Sequence, residues 1–177
     1  MTNEMQPDKA YVLTPHGPDL SNPLEISITA HVVLLNSRHE VLLTTRRGKL
    51  AKYRDVGITE TYDPHKDRDY SDTARRGLEE ELGIPQSEQG DLLGIHMPAL
   101  YLFTGNFKMI FPFFAFYDGS LKPHEDEIGG IEWITVEELL NGDPKDLNLA
   151  PMTPYSLYLA ILQSIPILGP ESKRDAK

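Results

Sequence analysis

Glu79, Glu80 and Glu81 stand in a row within the run S-D-T-A-R-R-G-L-E-E-E-L-G-I, from Ser71 to Ile84, and they are the residues best suited to chemistry in this chain. Ala74, Leu78 and Leu82 recur every four residues, which predicts an amphipathic helix burying that stripe. Ser71 or Asp69 caps its start, and Gly83 with Pro85 ends it. Successive helical residues turn by about 100°. With Gly77 at zero, Glu81 falls at roughly 40°, Glu80 at roughly 300° and Glu79 at roughly 200°. Glu80 and Glu81 thus flank position 77 and can share a cation, whereas Glu79 points away. Crowded carboxylates repel one another unless a cation intervenes. Magnesium suits such oxygens, because it keeps several waters and completes its shell with substrate phosphates. Spacing alone slightly favours a solvated acidic helix face. Gly77 itself requires a reason, since glycine inside a helix costs about 1 kcal/mol relative to alanine. It permits close approach of backbone or ligand, or it marks drift after loss of activity.

The rest of the chain has to position that helix. Its 177 residues suit a single domain with its own core. A formal net charge of −10 argues against a sequence-independent grip on nucleic acid or an anionic membrane. It is compatible with a phosphorylated small molecule, because a bound cation inverts the local field. The absence of cysteine removes disulfides, thiolate zinc sites and cysteine nucleophiles. The first ten residues are polar and lack the apolar segment of a signal peptide, and no apolar run approaches the roughly 18 residues of a membrane span. A cytoplasmic protein is expected, and a homodimer is left open.

Prolines and glycines through residues 1–24 predict an irregular arm, followed by one domain over 25–168 and a flexible tail over 169–177. Ile26 to Leu35 and Glu40 to Thr45 read as strands joined by a polar turn, a hairpin. Further strands are expected at Asp55–Tyr62, Leu92–His96, Leu100–Phe103, Phe107–Tyr117 and Ile131–Ile134. Thr135 caps a helix through Leu140, and Thr153 caps a final helix. Strands interrupted by separated helices predict an α/β fold with a mixed sheet covered on both faces.

The run R-G-L-E-E-E-L-G-I from Arg76 resembles the end of the Nudix box, G-x5-E-x7-R-E-U-x-E-E-x-G-U, where U is aliphatic. Arg76, Leu78, Glu80, Glu81, Gly83 and Ile84 match, and Gly77 stands where the family has Glu. The stretch from His31 to Arg47 resembles the family's strand–turn–strand lead-in. Asp55-Val56 and Asp63-Pro64 resemble the flanks of its glycine-rich stretch, and Glu127 to Leu140 resembles its late strand and helix. The similarity covers residues 26 to 140 in order and implies a Nudix-type α/β/α sandwich with a central mixed sheet. The front of the box departs further: its paired glycines fall on Thr59 and Glu60. Eleven residues separate Pro64 from Arg76, where the family usually has about nine. Asp67 and Asp69 are the candidates to replace the box's early Glu.

The resemblance implies hydrolysis of a nucleoside diphosphate linked to another moiety, with Mg2+ or Mn2+ as cofactor. Glu80, Glu81 and Glu127 are the expected catalytic residues, and Glu80, Glu81 and Glu60 the expected metal ligands. Glu60 is the first candidate to replace the carboxylate missing at Gly77, ahead of Asp126 and Glu127. Weak or altered hydrolysis is expected, which Gly77→Glu should raise. Arg46, Arg47 and Tyr101 are the expected substrate contacts, and the aromatic strand Phe111–Phe116 is a candidate to read the organic group. Tyr101 falls seventeen residues after Ile84, where some dinucleoside polyphosphate hydrolases carry a tyrosine; a core tyrosine is the other explanation. The lead-in also resembles the isopentenyl diphosphate isomerase branch, whose cysteine this chain lacks. His31, His65 and His96 are read as core or surface histidines. The alternative is a non-catalytic Nudix-fold module that binds a nucleotide or a protein partner.

Overall fold

A computed structural model describes residues 9–10, 13–14, 17–18, 24–48, 53–94, 99–103, 106–143 and 145–149. The final helix expected after Thr153 lies outside them, as does His96. In the arm expected to be irregular, three two-residue strands occur: β1 (Lys9–Ala10), β2 (Leu13–Thr14) and β3 (Gly17–Pro18). β1 pairs with the start of β4.

The sheet is built on β4 (Leu24–Leu35) and β10 (Asn106–Phe116), which run parallel from Ile26↔Phe107 to Leu35↔Phe116. β5 (Glu40–Arg46) lies antiparallel to β11 (Ile128–Thr135), and the short β8 (Leu93–Gly94) and β9 (Ala99–Phe103) pair antiparallel with β10. One parallel pair among antiparallel ones makes the sheet mixed, as expected.

The hairpin of β4 and β5 has a structure that its sequence did not disclose. Asn36 closes the turn by accepting from the backbone N–H groups of Arg38 and Glu40, and His39 sits in the left-handed region at φ 60°. The strands then diverge, sharing only the Leu35↔Val41 pair. The wedge between them is filled by β6 (Arg54–Val56) on β5 and β7 (Ile58–Thr61) on β4. The single strand expected at Asp55–Tyr62 is therefore two. Gly57 separates them at φ 80°, where any side chain would run into the Val32 carbonyl.

Side chains alternate across a strand, so β4 feeds two cores. Ala30, Val32 and Leu34 face α1 (Tyr70–Leu82), packing with Ala74, Leu78, Leu82, Ile58 and Phe113. Val33 and Leu35 face the opposite layer with Val41, Leu43, Phe114 and Leu139 of α2 (Val136–Asn141). A strand buried on both faces reads as the continuous apolar run seen in its sequence. The result is an α/β/α sandwich. Among the described residues no helix is long and apolar enough to cross a membrane.

Candidate active site

The acidic helix is fixed at both ends. Asp69 caps α1 by accepting from Ser71 N and Asp72 N, each at 2.9 Å. Gly83 ends it at φ 66°. Beyond that glycine, Lys122 N donates to Leu82 O and His124 N to Glu81 O, both at 2.9 Å. Glu127 O in turn accepts from Arg47 N at 2.9 Å. The turn carrying Glu127 is thereby tied to the last turn of α1 and to the end of β5.

Glu81 lies in this corner, buried by the sheet. Its Oε2 is 3.5 Å from Arg46 Nη2 and makes no hydrogen bond. Burial pushes its pKa up to about 7; Arg46 opposes the shift, while the charges of Glu60, Glu127 and Asp55 add to it. Arg46 does not reach into open space: its Nε donates to Asp55 Oδ2 at 3.1 Å and its Nη2 to Thr59 O at 3.2 Å. It forms the basic wall of an acidic corner. Arg47 is exposed.

Glu80 is exposed one position earlier, held by Arg76 Nη1 at 3.3 Å. Glu79 points into solvent and accepts from Gln86 Nε2 at 3.1 Å. Arg76 also binds Glu60 Oε1 at 3.0 Å, Thr61 O at 2.7 Å and both oxygens of Asp67 at 2.9 Å. Asp67 further accepts from Asp63 N and Thr73 Oγ1, each at 2.9 Å. The Arg76 guanidinium beside it holds its carboxyl far below the ordinary range. Neither acid proposed for the early Glu is therefore free for a cation: Asp67 anchors Arg76, and Asp69 caps the helix.

Glu60 and Ile58 point to the α1 side of β7, and they meet the helix at Gly77. A Cβ built on Gly77 would lie 2.8 Å from Glu60 Cβ and 3.1 Å from Ile58 Cδ1. The single change Gly77→Glu would drive into Glu60, so the expected gain in turnover does not follow from this packing. Outside this contact, Glu60, Tyr62, Asp63, Lys66 and Arg76 line an open cleft of about 380 Å³.

The other expected residues are placed as follows. Tyr101 falls on β9, opposite Lys108, with its side chain outside the described part. Phe113 and Phe114 are buried, so the aromatic strand serves chiefly the core; Phe111 stacks on Tyr70 at 3.9 Å. His31 is a core histidine. Its Nε2 donates to Val56 O at 2.6 Å, a carbonyl that can only accept, which leaves Nδ1 to accept from Thr59 Oγ1 at 2.9 Å. Burial lowers its pKa to about 4 and keeps it neutral. His65 is exposed. Asp55 and Thr73 were missed as site residues; nothing in their local sequence announces the ion pair with Arg46 or the bond to Asp67.

The carboxylate oxygens fit a hard divalent cation, and the observation that tests this is Glu81 Oε2, buried without a hydrogen-bond donor. Among the described residues, no three acids or histidines already converge as a cage. Glu60 and Glu80 instead rest on Arg76.

The chain is an α/β/α sandwich carrying an acidic helix against a mixed sheet. The family model of the NUDIX domain matches residues 26–155, and the chain belongs to the Nudix family. Membership implies pyrophosphohydrolase activity on nucleoside diphosphate derivatives, generally with divalent metal ions. Among solved structures, the MutT protein from Methanosarcina mazei Go1 is similar with TM-score 0.62 and 18% identity, covering 78% of this chain and 94% of that one. A MutT NUDIX hydrolase from Burkholderia pseudomallei gives 0.59 and 16%, covering 76% and 98%. A C. elegans Ap4A hydrolase gives 0.57 and 18%, covering 78% and 99%. At these identities the likeness concerns the fold. No curated protein matches the chain significantly in sequence.

Proposed function

We propose that the protein is a Mg2+- or Mn2+-dependent hydrolase that cleaves the diphosphate bond of a nucleoside diphosphate linked to another moiety. The observation that carries this reading is the buried, hydrogen-bond-free Oε2 of Glu81, beside the exposed Glu80 on a helix end tied to the Glu127 turn. Glu80, Glu81 and Glu60 would hold the cation. When bound, it supplies Lewis acidity toward the diphosphate oxygens.

The chain's own residues supply the rest. Glu127 accepts a proton from the attacking water as the water oxygen bonds to phosphorus; the bridging P–O bond breaks and the bridging oxygen leaves with its electron pair on the other phosphate. Arg46 keeps Glu81 in place from the sheet side and Arg47 meets phosphate at the surface. Lys66 is the cation that the cleft beside Glu60 offers an anionic substrate, since Arg76 there is paired with Asp67, Glu60 and Glu80. Tyr101 on β9 is the candidate contact for the organic group.

The test is product release from a panel of nucleoside diphosphate sugars, dinucleoside polyphosphates and nucleoside triphosphates, with and without Mg2+. Metal-dependent turnover that Glu81→Gln abolishes supports the reading. A second reading, a module that binds a nucleotide or protein without cleaving it, is favoured by the arginine contacts that already engage Glu60, Glu80 and Glu81. Saturable nucleotide binding with no product across the panel would select it.

A further inference from the structure

The packing of β7 on α1 gives Gly77 a purpose. Position 77 lies between positions 80 and 81 on the helix wheel. Its missing side chain leaves a gap that Glu60 fills from the strand: the Glu60 Cβ stands 2.8 Å from where a Cβ of residue 77 would be. The Glu60 stem thus starts almost where a side chain from position 77 would start. Its carboxylate is held 3.0 Å from Arg76 Nη1, the same nitrogen that binds Glu80 at 3.3 Å. Glu60 Oε1 also accepts from Thr61 N at 2.8 Å, which orients the group on the strand. Independently, Glu81 on the same helix face is 2 % exposed and its Oε2 has no hydrogen-bond donor.

We propose that Gly77 is a positioning residue: it opens a port in α1 through which Glu60, carried by β7, delivers the third carboxylate to the cation site of Glu80 and Glu81. This rests on the metal-dependent reading above and makes Gly77 and Glu60 one exchanged pair rather than two separate defects. A glycine on the helix is required because position 60 of the strand carries a side chain whose Cβ stands in that space, and the glutamate there ends in the carboxylate that the helix position lacks.

The test measures Mn2+ affinity by electron paramagnetic resonance of free Mn2+, and urea unfolding without metal, on the full chain. Glu60→Gln keeps the stem in the gap and removes the charge. It should lower the unfolding midpoint only by the loss of the Arg76 pair, less than Gly77→Ala does, and weaken Mn2+ at least about tenfold. Gly77→Ala should lower the midpoint and also weaken Mn2+ at least about tenfold, because its Cβ displaces Glu60. The double exchange Glu60→Gly with Gly77→Glu should bind Mn2+ at least about tenfold better than Glu60→Gly alone. Wild-type affinity in Glu60→Gln or Gly77→Ala, or no recovery in a folded double variant, overturns the proposal. Should Glu80→Gln and Glu81→Gln weaken Mn2+ while Glu60→Gln does not, the metal-dependent reading stands and the pairing fails. If wild type binds no Mn2+ at all, both fall.

Discussion

Two acids are buried near opposite ends of α1, Asp67 in the loop before it and Glu81 in its last turn, at 5 % and 2 % exposure. Both are shielded from solvent, but Glu81 lies deeper and their surroundings differ. Asp67 receives four hydrogen bonds, two from Arg76 and one each from Thr73 and Asp63 N, and its pKa is driven down. Glu81 has one arginine at 3.5 Å, no donor on Oε2 and neighbouring acids, and its pKa is driven up to about 7. A buried charge with all its partners holds a structure together, whereas one left without them is poised to receive something.

The largest effect should come from breaking the satisfied acid. Asp67→Ala removes four bonds, two of them from Arg76, which keeps Glu60, Glu80 and the Thr61 carbonyl, at a cost of about 3 kcal/mol in urea unfolding. A loss below about 1 kcal/mol would dissolve the contrast, since that is the range of exposed pairs. Glu81→Gln should do the reverse, stabilising the metal-free protein by about 1–2 kcal/mol at pH 8, because it removes a poorly compensated buried charge. Destabilisation of that size would show that Arg46 already satisfies Glu81.

The pH dependence sharpens the same comparison. Glu81 titrates higher in the folded protein than the ordinary 4.5, so the folded state binds the proton more tightly and stability falls as pH rises from about 4.5 through about 7. Asp67 is shifted the other way. Its contribution is complete above the ordinary value of 3.8 and is lost as pH falls below it. Unfolding of wild type minus Glu81→Gln should therefore slope between about pH 4.5 and about 7, and wild type minus Asp67→Asn only below 3.8. The difference curves cancel the separate loss of stability that neutral His31 imposes as pH falls below 6.5. Smallest of all is Glu79→Gln, on the exposed side of the helix, which should change stability by less than about 0.5 kcal/mol and leave Mn2+ affinity unaltered.

Much of this was legible in the sequence where the signal is local. The period of Ala74, Leu78 and Leu82 fixed the buried face of α1, and Gly83 marked its end, while the cap was left between Ser71 and Asp69, of which Asp69 is the one used. The run Ile26–Leu35 announced most of β4 as a strand. What was not legible depends on contacts between distant segments. The splitting of β6 from β7 at Gly57 follows from the divergence of β4 and β5, which no residue in the hairpin reports. The roles of Asp67, Asp55 and Thr73 arise from partners across a loop or a sheet. Gly77 was open to two readings from the helix alone, a close approach or a loss; the side-chain stem filling its space comes from β7.

The most direct measurement is Mn2+ titration of wild type and Glu81→Gln at one pH above 7, read as free Mn2+ by electron paramagnetic resonance. The account predicts a saturable site in wild type that Glu81→Gln weakens at least about tenfold. Equal affinity in the two proteins, or no saturable site in wild type, would contradict it.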